Sequence, residues 1–208
     1  VPSEYPTIQA GIDAAADGDI VLVADGTYSG PGNSDLTFYG NNVLLISESG
    51  PQNTIIDGTT NDPLVSIVNY VANGDGTISG FTITNGPSNG ITVGGGAGVS
   101  FSILNCIISN NHYRGITTDI GVTIDISDSV IQNNQDGGLY LRWVTGTVRN
   151  NIIENNQKDF ESYLELFINY KLKLAEAYDL GLQNDPKYKS ELNKYVKQLQ
   201  NTYLTDRE

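Results

Sequence analysis

The sequence predicts a mainly β chain that winds as a solenoid of parallel strands, with a short helix at its start and two helices after it. Three observations carry this reading. First, four segments repeat: Phe81-Thr-Ile-Thr-Asn85, Cys106-Ile-Ile-Ser-Asn110, Ser129-Val-Ile-Gln-Asn133 and Asn151-Ile-Ile-Glu-Asn155, with their asparagines 25, 23 and 22 residues apart. Second, Gly90-Ile91-Thr92, Gly115-Ile116-Thr117 and Gly138-Leu139-Tyr140 keep the same beat, at 25 and 23 residues. Third, composition breaks near Gln157–Lys158: all seven lysines follow the break, and 22 of the 23 glycines precede it. A boundary there divides the chain into a solenoid, 1–157, and a helical segment, 158–208.

The elements follow in order. Ile8, Ile12, Ala15 and Ala16 sit at helical spacing and are closed by Asp17-Gly18. A solenoid needs its open end covered, so residues 7–16 read as a capping helix. Ile20-Val-Leu-Val-Ala24, Val43-Leu-Leu-Ile-Ser47, Thr54-Ile-Ile-Asp57 and Val65-Ser-Ile-Val-Asn69 are β-branched or alternating runs bounded by turn formers, and read as strands. Beyond them each period of 22–25 residues holds three short strands separated by Gly, Asn and Asp, which supply the left-handed corners. A coil of that size cannot bury its own inner face, but stacking buries it. The register places Ile83, Ile108, Ile131 and Ile153 in one interior ladder and Ile91, Ile116 and Leu139 in another. It also predicts an amide ladder of Asn85, Asn110, Asn133 and Asn155 at one corner. At ~23 residues per coil, 157 residues make roughly six or seven coils. Cys106, in register with Phe81 and Ser129, reads as a small interior residue.

After the break the periodicity becomes helical. Phe160, Leu164, Phe167, Ile168, Leu172 and Ala175 form one apolar stripe, and Gly181 is placed to end that helix. Asp185-Pro186 reads as the N-cap and first residue of a second helix, with Leu192, Tyr195, Val196, Leu199 and Tyr203 on its apolar face. The two make a helical hairpin whose apolar faces need a partner. Contact of Phe160, Leu164 and Phe167 with the last coil near Ile152–Ile153 is one expectation.

Two resemblances follow from quoted residues. Tyr5-Pro-Thr-Ile-Gln-Ala-Gly-Ile-Asp-Ala-Ala-Ala-Asp-Gly-Asp-Ile-Val-Leu-Val-Ala-Asp-Gly-Thr-Tyr28 and Ser49-Gly-Pro-Gln-Asn-Thr-Ile-Ile-Asp-Gly58 resemble the N-terminal part of right-handed parallel β-helix proteins of the pectate-lyase-like superfamily. The resemblance covers residues 3–157. It implies a right-handed parallel β-helix and a secreted, surface or periplasmic bacterial protein associated with polysaccharide, though the fold alone assigns no activity. Tyr163-Leu-Glu-Leu-Phe-Ile-Asn-Tyr-Lys-Leu-Lys-Leu-Ala-Glu-Ala-Tyr-Asp-Leu-Gly-Leu182 and Glu191-Leu-Asn-Lys-Tyr-Val-Lys-Gln-Leu-Gln200 resemble the N-terminal helical region of SurA-like, parvulin-type prolyl isomerases. That resemblance implies an apolar surface for unfolded polypeptide on 158–207, without the isomerase domain. An artificial fusion, a natural mosaic and an evolved C-terminal cap all fit the junction. The chain opens at Val1 and lacks methionine, and reads as a processed or internal piece.

Charge narrows the function classes. The net charge of −13 divides into −12 on residues 1–157, with three arginines against fifteen acids, and −1 on the remainder. Such a solenoid lacks the clustered cations that nucleic acid or an anionic membrane surface requires. No apolar run approaches the ~20 residues of a membrane-spanning helix. One cysteine excludes an internal disulfide.

The motifs of pectin methylesterases and polygalacturonases that the superfamily resemblance brings to mind are missing. A lyase of that kind uses Lys or Arg as base, and the solenoid offers only Arg114, Arg142 and Arg149. The best catalytic candidates are His112, the one histidine, as general base, with Arg114 and Arg142 to bind a carboxylate. The same Asn-Asn-His-Tyr-Arg-Gly stretch also reads as an exposed polar corner. Tyr113, Tyr140 and Trp143 could stack on sugar rings. Asp125, Asp128 and Asp136 could supply oxygen ligands to Ca²⁺, and otherwise form a solvated face; no other cofactor is expected. The leading expectation is a carbohydrate-associated binding or structural module. A polysaccharide lyase or hydrolase on acidic glycans and a fused fragment of a periplasmic SurA-like factor are the alternatives.

Overall fold

The computed structural model describes residues 1–38, 42–71 and 74–154, with residues 185, 186, 189, 190, 193, 194 and 197. The chain divides into two compact units, Val1–Asn155 and Asn156–Glu208. The first is a solenoid of three parallel sheets. Sheet A stacks β1 (Ile20–Val23), β4 (Leu44–Ser47), β7 (Gly74–Ser79), β10 (Val99–Leu104), β13 (Thr123–Ser127) and β16 (Thr145–Arg149). Sheet B stacks β2 (Gly26–Ser29), β5 (Thr54–Asp57), β8 (Thr82–Thr84), β11 (Ile107–Ser109), β14 (Val130–Gln132) and β17 (Ile152–Glu154). Sheet C stacks β3 (Leu36–Phe38), β6 (Val68–Val71), β9 (Ile91–Gly94), β12 (Ile116–Thr118) and β15 (Leu139–Tyr140). Among the described residues this makes five complete coils and the A and B strands of a sixth, fewer than a uniform period implies. The early coils are longer: Leu44 pairs with Thr77, against Ser102 with Asp125 and Asp125 with Thr147 further on. The strand expected at 65–69 forms at Val68–Val71.

The capping helix is α1, Ile8–Ala14. Thr7 Oγ1 caps it by accepting from Ala10 N–H at 3.1 Å. Ile8 and Ile12 face inward and are buried, closing the first coil. Ala16, expected on the same stripe, lies beyond the helix end and is exposed.

Period-two alternation drives the core. Ile83, Ile108, Ile131 and Ile153 are paired neighbours in sheet B, as are Ile91, Ile116 and Leu139 in sheet C. The ladder stays fully buried through Ile131. At one level its regularity gives way to an aromatic cluster. Phe38, Tyr70 and Phe101 lie with ring centroids 4.6–5.7 Å apart. They fill the space opposite Gly76, which pairs with Phe101 and where a Cβ would stand 2.6 Å from the Tyr70 ring.

Three columns of left-handed residues turn the chain. Gly80, Asn105, Asp128 and Asn150 lie between sheets A and B. Asn85, Asn110 and Asn133 lie between B and C. Gly98, Gly121 and Trp143 lie between C and A. Asn and Gly tolerate this region best.

The amide ladder differs from expectation by one residue. Asn85 and Asn110 carry the left-handed turn and are exposed. The next residues, Asn111 and Asn134, point inward and are buried. Asn111 Nδ2 donates to Asn134 Oδ1 at 2.9 Å, Asn111 Oδ1 accepts from Gly86 N–H at 2.9 Å, and Asn134 Nδ2 donates to the Ile108 carbonyl at 3.0 Å. A positive φ at the first asparagine swings the second into the wall, where it satisfies backbone groups that the corner takes out of the sheets. Gly90 of the Gly-Ile repeat makes this approach possible: a Cβ there would meet Asn111 Nδ2 at 2.9 Å. Asn155, the last expected rung, lies outside the described residues.

In the second unit, Pro186 is the first helical residue after Asp185, and Lys189 N–H donates to the Asp185 carbonyl at 3.0 Å. This is the bond an N-cap carbonyl accepts. The stripe from Phe160 to Ala175, Gly181 and the apolar face from Leu192 to Tyr203 lie outside the described residues. No described helix is long and apolar enough to cross a membrane.

Candidate functional site

The corner between sheets B and C carries three of the six catalytic and sugar-binding candidates, His112, Tyr113 and Arg114. The loop from β11 to β12 holds His112, Tyr113 and Arg114, pinned to the coil before it. His112 N–H donates to the Gly86 carbonyl at 2.8 Å, Tyr113 N–H to the Ser88 carbonyl at 3.2 Å and Arg114 N–H to Asn89 Oδ1 at 3.2 Å. With its backbone held, this loop projects its side chains outward. The His112 and Tyr113 rings meet edge to face at 5.2 Å. The Arg114 guanidinium lies 3.9 Å over the Tyr140 ring of the next coil, a cation–π stack across two rungs. Tyr113 and Tyr140 are about half exposed.

Beside this cluster runs a shallow groove of about 730 Å³, lined by Thr59, Asn85, Asn110, His112, Asn133 and Gln135 among others. Four of these are carboxamides, each with donors and an acceptor. The sequence makes Asn85, Asn110 and Asn133 rungs of a stacked corner ladder; in the structure they line the groove instead. The signal was the doubled asparagine at Asn110-Asn111 and Asn133-Asn134, of which only one member can turn inward.

Arg142 and Trp143 lie elsewhere, on the loop from β15 to β16 at the corner between sheets C and A. Arg142 N–H donates to Thr118 Oγ1 at 3.0 Å, and its guanidinium reaches Asp119 at 4.0 Å with both side chains about half exposed. Such a pair contributes little to stability. A sheet C strand of three residues, about 10 Å long, separates this loop from His112 and Arg114. The expected trio of His112, Arg114 and Arg142 is therefore not one cluster. Among the described residues, the lining of the groove includes no carboxylate.

The three aspartates considered for Ca²⁺ are likewise apart. Asp125 lies on sheet A and accepts from Thr147 N–H at 2.9 Å and Thr147 Oγ1 at 2.6 Å. Asp128 lies at the A–B corner and accepts from Asn150 Nδ2 at 3.2 Å, while Asp136 lies at the B–C corner. Among the described residues no three acidic, His or Cys side chains are grouped to hold a metal ion.

Cys106 is buried at the A–B corner, where its N–H donates to Ser129 Oγ at 3.0 Å. Burial pushes its thiol up to about 11, with hydrogen bonds to backbone opposing in part. The thiolate is the reactive form. At pH 8 the native protein is therefore expected to stay unlabelled by Ellman's reagent, and to react with one equivalent once unfolded in guanidinium. Rapid labelling of the native protein would contradict this assignment.

These features define a parallel β-solenoid module with a polar, aromatic-edged groove along one corner. More particularly, the chain belongs to the family described as right handed beta helix region, whose model matches residues 66–176. No curated protein and no solved structure matches the chain.

Proposed function

We infer that this right-handed β-helix binds carbohydrate outside the cytoplasm, with the glycan lying along the B–C corner. The observation that carries the reading is the half-exposed pair Tyr113 and Tyr140, with Arg114 stacked on Tyr140, at the side of a groove lined by carboxamides. A sugar ring is amphipathic. Its C–H face suits a tyrosine ring, and its hydroxyls suit amide groups that both donate and accept. Coils stacked about 4.8 Å apart repeat those amides along the axis, as a glycan repeats its hydroxyls.

Charge selects among glycans. A solenoid of net −12 repels polyuronates, so neutral polysaccharides are favoured. Binding also fits the groove better than lysis, because among the described residues its lining holds no carboxylate beside His112 and Arg142 belongs to another corner.

Calorimetric titration with neutral oligosaccharides tests this. Tyr140→Ala and Arg114→Ala should each weaken binding about tenfold, the loss of roughly one stacking contact. Binding that survives both substitutions undiminished, or release of ultraviolet-absorbing unsaturated uronates, would overturn the reading.

A further inference from the structure

The C–A corner points to a second ring-binding site centred on Trp143. Counting back from the paired residues Ser100, Thr123 and Thr145, the same corner position is Gly98 in one coil, Gly121 in the next and Trp143 in the last. All three are left-handed, with φ of 94°, 85° and 46°. Glycine adopts this conformation without penalty; a bulky residue there is a genuine outlier. Trp143 therefore occupies a position that the two preceding coils give to glycine. Trp143 is also 85% exposed, so the strain secures no burial. Backbone strain of this kind persists only where the surrounding structure over-determines it, and it clusters at ligand clamps and active sites.

The surroundings indicate what the indole receives. Gly121 N–H donates to the Trp143 carbonyl at 3.1 Å. Gly121 in turn stacks on Ala97, whose nitrogen lies 3.4 Å from where a Gly121 Cβ would be. The neighbouring corner is thus the loop of Asp119, Ile120 and Gly121, with Ile120 about half exposed, and the glycine-rich corner of Gly95 to Gly98 lies one coil further on. Beside the ring stand Asp119 and Arg142, both solvent-accessible. A protein hot spot packs its aromatic anchor into a desolvated pocket, whereas Trp143 is 85% exposed. An exposed flat ring with an acceptor and a fork of donors suits a sugar ring: the C–H face on the indole, the hydroxyls at Asp119 and Arg142. We propose that Trp143 is a carbohydrate-stacking platform, a subsite separate from the Tyr113–Tyr140 cluster. This inference rests on the carbohydrate-binding reading above and adds a second contact to it.

Trp143 is the one tryptophan in the chain, so emission excited selectively at the red edge, where tyrosine does not absorb, reports this site alone. The intact chain is titrated with cellohexaose, xylohexaose and chitohexaose, following heat by calorimetry and emission by fluorescence. A binding oligosaccharide should shift or quench the emission, and Trp143→Gly should weaken its binding at least fivefold while raising Tm by a few degrees. Binding heat with unchanged emission would overturn the Trp143 site and leave the groove reading intact. Binding lost in Trp143→Gly but untouched in Tyr140→Ala would uphold the site and sink the groove. A Tm for Trp143→Gly at or below that of the parent would remove the strain on which the inference stands. Absence of heat and of any emission change with all three sugars would overturn both.

Discussion

Asn111→Ala is expected to lower the unfolding free energy by about 3 kcal/mol or more, since each stranded buried polar group costs roughly 1–3 kcal/mol. The side chain is 1% exposed and bridges three coils. Its Oδ1 holds Gly86 N–H, and its Nδ2 reaches Asn134 Oδ1 at 2.9 Å and the Ile83 carbonyl at 3.4 Å. Truncation removes this partner from the Gly86 N–H and the Ile83 carbonyl in a buried wall, while Asn134 Oδ1 keeps only the residue-111 N–H, at 3.1 Å. Asn110→Ala, one residue away, keeps those bonds and removes an exposed amide. It should cost well under half as much, chiefly the preference of asparagine over alanine for a left-handed turn. Urea unfolding of the two variants checks the contrast. Equal losses would show that the buried ladder does not lie where described.

Phe101→Ala should be comparably severe, at about 3–5 kcal/mol for a buried phenylalanine. Phe101 is fully buried and packs against Tyr70 at 4.6 Å and Phe38 at 5.6 Å between ring centroids. Those rings occupy the volume that Gly76 vacates, so the reverse error costs as well. Gly76→Ala brings a methyl to 2.6 Å from Tyr70 and 3.0 Å from Phe101, and overpacking of this kind costs about 1–3 kcal/mol. The double variant should lose less than the sum, because removing Phe101 makes room for part of the new methyl. Residues in contact couple by about 0.5–3 kcal/mol. Strict additivity in denaturant unfolding would mean that the two positions do not share one space.

These positions show which parts of the fold a single sequence reveals. The ladders of Ile83 and Ile91 were readable because β-branched residues alternate on a fixed period, and alternation determines which side is inside. The corners were not readable in the same way. Alternation stops at a left-handed residue, so Asn110 and Asn111 look equivalent in sequence although one is exposed and the other buried. Long early coils also escaped notice, since the excess lies in loops between strands that carry no periodic signal. The groove is a corner feature and was missed for that reason. Gln135 and Thr59 line it through turns that bring separate coils together, and nothing in their local spacing announces this. Tyr140 was readable as an outward aromatic; its stacking under Arg114 depends on the register between two coils. Arg142 was grouped with His112 by sequence distance, whereas a sheet C strand holds the two loops apart.

The buried amide ladder also bears on how the protein ages. Asparagine followed by glycine is the dipeptide most prone to lose its side-chain amide. The backbone nitrogen of the glycine attacks the asparagine side-chain carbonyl carbon, closes a five-membered succinimide and expels ammonia. Asn85-Gly86 and Asn89-Gly90 are both of this kind. In each, the attacking nitrogen is already committed: Gly86 N–H to Asn111 Oδ1 at 2.9 Å, and Gly90 N–H to the Arg114 carbonyl at 2.9 Å. Ring closure requires that bond to break and the peptide to rotate out of the wall. The contacts that join one coil to the next thus also slow the chemical clock at these two dipeptides.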